Sequence, residues 1–88
     1  MRMQVELHPV VRLFLRTCRP DDRDAFGAEL ERVRLDPIGN SEPHHDPETS
    51  RFMLRYFRFG GYTALFGFDP SRGLIRVVRC RPRKMLDA

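Results

Sequence analysis

Apart from a short alternating run at the start, the hydrophobic period of this chain switches once, and that switch constrains the fold most. Between residues 10 and 35, apolar side chains recur three and four apart. Val10, Leu13 and Phe14 form one stripe, widened by Val11 and Leu15; Ala25, Phe26, Leu30 and Val33 form another. Such spacing predicts two helices. From residue 51 to 80, apolar side chains alternate or cluster with β-branched residues, which predicts strands over 51–59, 62–68 and 74–80. The opening alternation of Met3, Val5 and Leu7 predicts one short strand before the helices.

The breaks between these segments have their own chemistry. Pro9 suits the first turn of a helix, where its missing N–H costs nothing. Arg19-Pro20-Asp21-Asp22 ends the first helix and starts the second. Asp21, Asp22 and Asp24 are expected to cap it and to complement its dipole, while Arg32 and Arg34 complement the other end. Asp36-Pro37 stops it. Residues 36–50 hold three prolines, a glycine and almost no apolar side chain, and are expected to form a loop. Gly60-Gly61 predicts a tight hairpin, Asp69-Pro70-Ser71-Arg72-Gly73 a turn. Arg81-Pro82-Arg83-Lys84 closes the last strand.

The expected order is β-α-α-β-β-β. Helices followed by strands argue an α+β domain, with a helix hairpin packed on one face of a small antiparallel sheet. A chain of 88 residues is one domain, 1–88, and buries roughly 60–65% of its unfolded surface, so a deep enclosed active site is not expected. No apolar run approaches the roughly 20 residues of a membrane span, and the first residues lack the apolar run of a signal peptide. A soluble, cytoplasmic protein without a membrane partner is expected.

Charge is divided unevenly. Residues 1–50 hold seven Arg against ten acids, a net −3; residues 51–88 hold eight Arg and Lys84 against two acids, a net +7. Arg51, Arg55 and Arg58 lie on one predicted strand; Arg76, Arg79, Arg81, Arg83 and Lys84 lie on or just after another. Tyr56, Phe57, Phe59 and Tyr62 stand among the first group. Basic groups neutralise phosphates, so a polyanion, either nucleic acid or an acidic protein segment, is the expected partner. The aromatics offer stacking surfaces for unpaired bases but are expected to belong to the core. Fifteen of the sixteen basic residues are Arg, whose planar guanidinium grips phosphate bidentately. Strict alternation, however, puts Arg51 and Arg55 on one face and Arg58 on the other.

Other chemistry is thin. Cys18 and Cys80 lie far apart in sequence and are expected to be small buried apolar side chains. His44-His45-Asp46, flanked by Glu42 and Glu48, offers imidazoles for acid–base work but no recognisable metal spacing. No phosphate loop, nucleophile elbow or nucleotide fingerprint is present, so no cofactor and no metal are expected.

Several motifs taken together point to a family. The short first strand, the helix hairpin ending in Leu35-Asp36-Pro37, the Gly61-Tyr62 turn and the closing run Ile75 to Lys84 resemble the RelE/ParE toxins of bacterial toxin–antitoxin systems. The resemblance covers nearly the whole chain. It implies a small basic toxin. RelE-like members cleave mRNA in the ribosomal A site and ParE-like members poison DNA gyrase. Both are neutralised by an antitoxin that wraps them with a helix and a strand, so an acidic antitoxin is the implied protein partner. The resemblance makes Arg55 and Arg83 the expected catalytic residues. Arg51, Arg58, Tyr62, Arg79, Arg81 and Lys84 are then expected to bind nucleic acid. A ribosome-dependent mRNA endonuclease is the leading expectation; a gyrase poison, or a member that only binds RNA or an antitoxin-like partner, is the alternative.

The chain departs from the family pattern at three places. Thr63 stands where the family has a phosphate-binding Arg, Pro82 where it has a histidine, and the tail Met85-Leu86-Asp87-Ala88 contains no Tyr. Arginine stays protonated, so a ribonuclease needs another base: His44, His45, Tyr62 or the ribosome itself.

Overall fold

The structure is a computed structural model, and it describes residues 3–44 and 53–83. The elements follow the expected order, with one addition: β1 Gln4–Leu7, α1 Pro9–Thr17, α2 Pro20–Leu35, β2 Glu42–Pro43, β3 Met53–Phe59, β4 Tyr62–Asp69 and β5 Leu74–Pro82. Both helices cover one face of a five-stranded sheet with strand order β1-β5-β4-β3-β2.

Local chemistry sets the helix ends. His8 accepts the Val10 N–H through Nδ1 at 3.1 Å, and Pro9 takes the first position of α1. The helix closes where the Cys18 N–H donates to the Phe14 carbonyl at 2.9 Å. The expected aspartate cap on α2 does not form. Arg19 occupies the cap position without a side-chain bond, and Pro20 fills the first helical position. Asp21 and Asp22 follow Pro20 in the first turn, where they complement the dipole without capping. Glu29 and Glu31 pair with Arg32 and Arg34 three residues on. Arg34 also donates through Nε to the Met3 carbonyl at 2.9 Å and ties the end of α2 to the start of the sheet.

The sheet is mixed. β2-β3-β4-β5 is antiparallel throughout, but β1 joins β5 parallel, with Gln4 opposite Leu74 and Leu7 opposite Val77. A parallel neighbour requires a long connection; here it is everything from α1 to β4. The segment expected to be a loop contains β2, where Glu42 faces Tyr56 and Pro43 faces Arg55. Residues 45–50 of that segment lie outside the described residues. Gly60 and Gly73 adopt φ of 53° and 61°, the left-handed region that the β3–β4 and β4–β5 turns require.

The core lies between helices and sheet. Val11 from α1 and Phe26 and Val33 from α2 meet Phe57, Phe59, Ala64, Phe66, Phe68, Ile75 and Val77. Phe26 stands edge-on to Phe59 at 5.2 Å between centroids. The two cysteines are half-buried and free. Burial, with the neighbouring Cys18 thiol, pushes the Cys80 thiol up to about 12. No described helix is long and apolar enough to cross a membrane.

One irregularity decides which side the arginines of β5 take. Leu65 pairs with Arg79 and its neighbour Phe66 pairs with Val77, so Val78 is an extra residue on β5. In straight alternation Arg79 and Arg81 would share the inward face of Ile75 and Val77. The bulge resets the parity: Cys80 lies opposite inward-facing Ala64, and Arg79 and Arg81 move to the face that no helix covers.

Candidate nucleic-acid interface

Two cross-strand rows on the uncovered face make the candidate site. In the first, Arg58 on β3, Thr63 on β4 and Arg81 on β5 are register partners. In the second, Tyr56, Leu65 and Arg79 are register partners on the same three strands. Neighbouring strands stand about 4.8 Å apart, which separates Arg58 from Arg81 by about 10 Å of backbone. Thr63 is small and buried and forms the floor between them. With His44 at the edge, the two rows line a concavity of ≈ 240 Å³.

The electrostatics of this concavity are one-sided. Its lining holds three arginines, one histidine and no carboxylate. Arg58, Arg79 and Arg81 form no ion pair among the described residues, whereas Arg76, towards the β1 edge, bonds Glu6 at 2.9 Å. Three guanidiniums that form no ion pair among the described residues favour an anion between them, although Glu29 and Glu42 line a neighbouring hollow with Arg58. The Tyr56 ring carries Arg58 6.0 Å from its centre, and its hydroxyl donates to the Glu42 carboxylate. That hydrogen bond, then burial, raises the Tyr56 phenol above its ordinary value. Aromatic ring, apolar Leu65 and cations together suit a base and its phosphate.

The expected site residues divide by face. Arg58, Arg79 and Arg81 lie together on the uncovered face. Arg55 does not join them: alternation on β3 turns it to the helix side, where it is 9% exposed. Its Nε donates to Ser41 Oγ at 2.5 Å, and Nη2 donates to the Ser41 and Ile38 carbonyls at 2.9 and 3.2 Å. A guanidinium so occupied does not face a substrate on the other side of the sheet. Tyr62 likewise points to the helices, stacked on Phe59 at 5.6 Å and edge-on to Phe14 at 4.9 Å. It is a core aromatic, which rules it out as both a stacking surface and a base on the open face. Arg83 is exposed beside the β3–β4 turn, its N–H donating to the Gly61 carbonyl at 2.9 Å, and it stands outside the lining of the concavity. Arg51, Lys84 and His45 lie outside the described residues.

Leu65 was not named by sequence reasoning, and Tyr56 and Thr63 were not assigned to binding, yet the three lie in the middle of the site. Alternation alone places Tyr56 with Arg58, and Gly60-Gly61 then sets Thr63 opposite Arg58. Position 63, where the family resemblance implies an arginine, lies between Arg58 and Arg81.

Comparison with known proteins gives a likeness of structure. No protein-family model matches the chain, and no curated protein matches it by sequence. Among solved structures, a chain of the archaeal RelE–RelB complex from Pyrococcus horikoshii superposes with a TM-score of 0.77 at 18% identity. The match covers 94% of this chain and 97% of that one. A chain of the toxin–antitoxin complex RelBE2 from Mycobacterium tuberculosis superposes with a TM-score of 0.78 at 17% identity, over 94% and 93%. The sheet, its two helices and their order therefore constitute a RelE-like α+β fold.

Proposed function

We propose that this protein is the toxin of a toxin–antitoxin pair and acts as a ribosome-dependent mRNA endonuclease through the uncovered face of its sheet. The observation that carries this reading is the row Arg58–Thr63–Arg81, two cations without an ion-pair partner among the described residues over a small floor, with Tyr56 and Arg79 in the next row. The two arginines hold the scissile phosphate and Tyr56 stacks on an adjoining base. His44 is the lining side chain suited to accept the ribose 2′-hydroxyl proton. The 2′-oxygen then attacks phosphorus, the bond to the 5′-oxygen breaks, and that oxygen leaves with a proton from water or the ribosome. Arg83, next along the chain beyond the concavity, is assigned to the RNA backbone. An acidic antitoxin is the proposed partner, supported by the two structural neighbours, one solved as a RelE–RelB complex and the other as the toxin–antitoxin complex RelBE2.

The test is induced expression in bacteria with primer extension on a translated message. The wild type is expected to arrest growth and create new ends in that message, and Arg81→Ala to lose both. Arrest without new ends would replace this reading with a gyrase poison, read by a supercoiling assay. Neither arrest nor cleavage by the wild type would leave a binding domain without nuclease chemistry.

A further inference from the structure

Arg55 is the buried charge that the proposed site does not use. Among the described residues no carboxylate bonds it; its partners there are two backbone carbonyls and one hydroxyl, all within Ile38–Ser41. Burying a guanidinium is costly, and an apolar side chain beside Phe57 would avoid that cost. The hydrogen bonds thus act locally, on one turn. That turn leads directly into β2, and a two-residue strand is too short to hold itself in place. β2 carries Glu42, which receives the Tyr56 hydroxyl, and leads into His44, whose N–H donates to the Leu54 carbonyl at 2.9 Å.

We infer that Arg55 is a positioning residue: from the helix side of the sheet it pins the 38–41 turn, so that Glu42 and His44 meet Tyr56 at the edge of the concavity on the other side. The coupling runs through covalent neighbours. Ser41, which accepts from Arg55 Nε and donates to the Pro37 carbonyl, is next to Glu42, and Glu42 is the register partner of Tyr56. Lysine at position 55 would present one ammonium in place of the fork and would not serve all three acceptors. What this positioning does for RNA rests on the function proposed above; the ordering of the turn does not.

The experiment compares wild type, Arg55→Met, Arg55→Lys and Ser41→Ala. Amide exchange is read at Asn40 and His44, against Ala64 and Phe66 in β4 as internal controls. The Tyr56 phenol titration is read by NMR, and affinity is measured for a short single-stranded RNA. Arg55→Met and Ser41→Ala are each expected to speed exchange at His44 by about tenfold or more, the loss of a charge-assisted hydrogen bond, with Ala64 and Phe66 unchanged. The Tyr56 titration is expected to fall towards that of an ordinary tyrosine, with Arg55→Lys intermediate and RNA affinity following the same order. Should Arg55→Met fail to fold, Ser41→Ala and Arg55→Lys decide. Unchanged exchange at His44 and an unchanged Tyr56 in folded variants would overturn the inference, as would faster exchange at Ala64 and Phe66 to the same degree. A wild type that binds no RNA would count against the proposed function, while exchange and the Tyr56 titration would still decide the role of Arg55.

Discussion

Arg58 and Arg81 face the same buried Thr63 from opposite sides, two strands apart, and neither is ion-paired among the described residues. Each is expected to contact a phosphate. Replacing either with alanine should weaken binding to single-stranded RNA of any sequence. The slope of log affinity against log salt should also fall by about 0.7 for each contact removed. Fluorescence anisotropy across a salt series checks this. An unchanged slope would remove that arginine from the interface.

The two tyrosines should separate by face. Tyr56→Ala is expected to cost RNA affinity about 1–3 kcal/mol, the usual loss of one stacking partner. Tyr62→Phe keeps the ring that packs on Phe14 and Phe59 and should leave affinity unchanged. A loss of binding in Tyr62→Phe with normal stability would contradict the face assignment.

The core depends on few side chains, as befits so short a chain. Phe26 is 3% exposed and touches both Phe57 and Phe59, so Phe26→Ala is expected to destabilise the protein by about 3–5 kcal/mol. Urea denaturation measures the loss.

Cys80 should behave as a buried thiol. Burial raises its folded value to about 12, above that of an exposed cysteine. Its contribution to stability is full below the unfolded value and is lost as pH rises through the folded one, so alkaline destabilisation is expected from roughly pH 9 upward. Thiol labelling at pH 8 should be slow at Cys80, and Cys80→Ala should flatten the alkaline fall in stability. Rapid labelling of the folded protein would contradict this.

Much of the fold was legible because periodicity carries it. Helical spacing between residues 10 and 33 marks both helices, although Val10 and Leu13 of the expected first stripe are exposed and Val11 is buried instead. Tyr62, Ala64, Phe66 and Phe68 alternate onto the face that the helices cover. The site was less legible, for physical reasons. The bulge at Val78 has no glycine or proline to announce it, yet it alone moves Arg79 and Arg81 off the core face. Arg55 and Arg58 are equally basic, and only the inward direction of Phe57 and Phe59 tells them apart. β2 was hidden because Glu42-Pro43 has no strand propensity; it is held by pairing with Tyr56 and Arg55 and by the turn that Arg55 grips. Parallel pairing of β1 with β5 depends on residues seventy apart, which no local pattern reports.

The most direct test of the account is amide shift mapping of isotope-labelled protein titrated with a short single-stranded RNA. The account predicts that perturbations concentrate on Tyr56, Arg58, Thr63, Leu65, Arg79 and Arg81 and spare Tyr62, which faces the helices, and Phe26 on α2. Perturbations confined to the helices, or none at millimolar RNA, would contradict it.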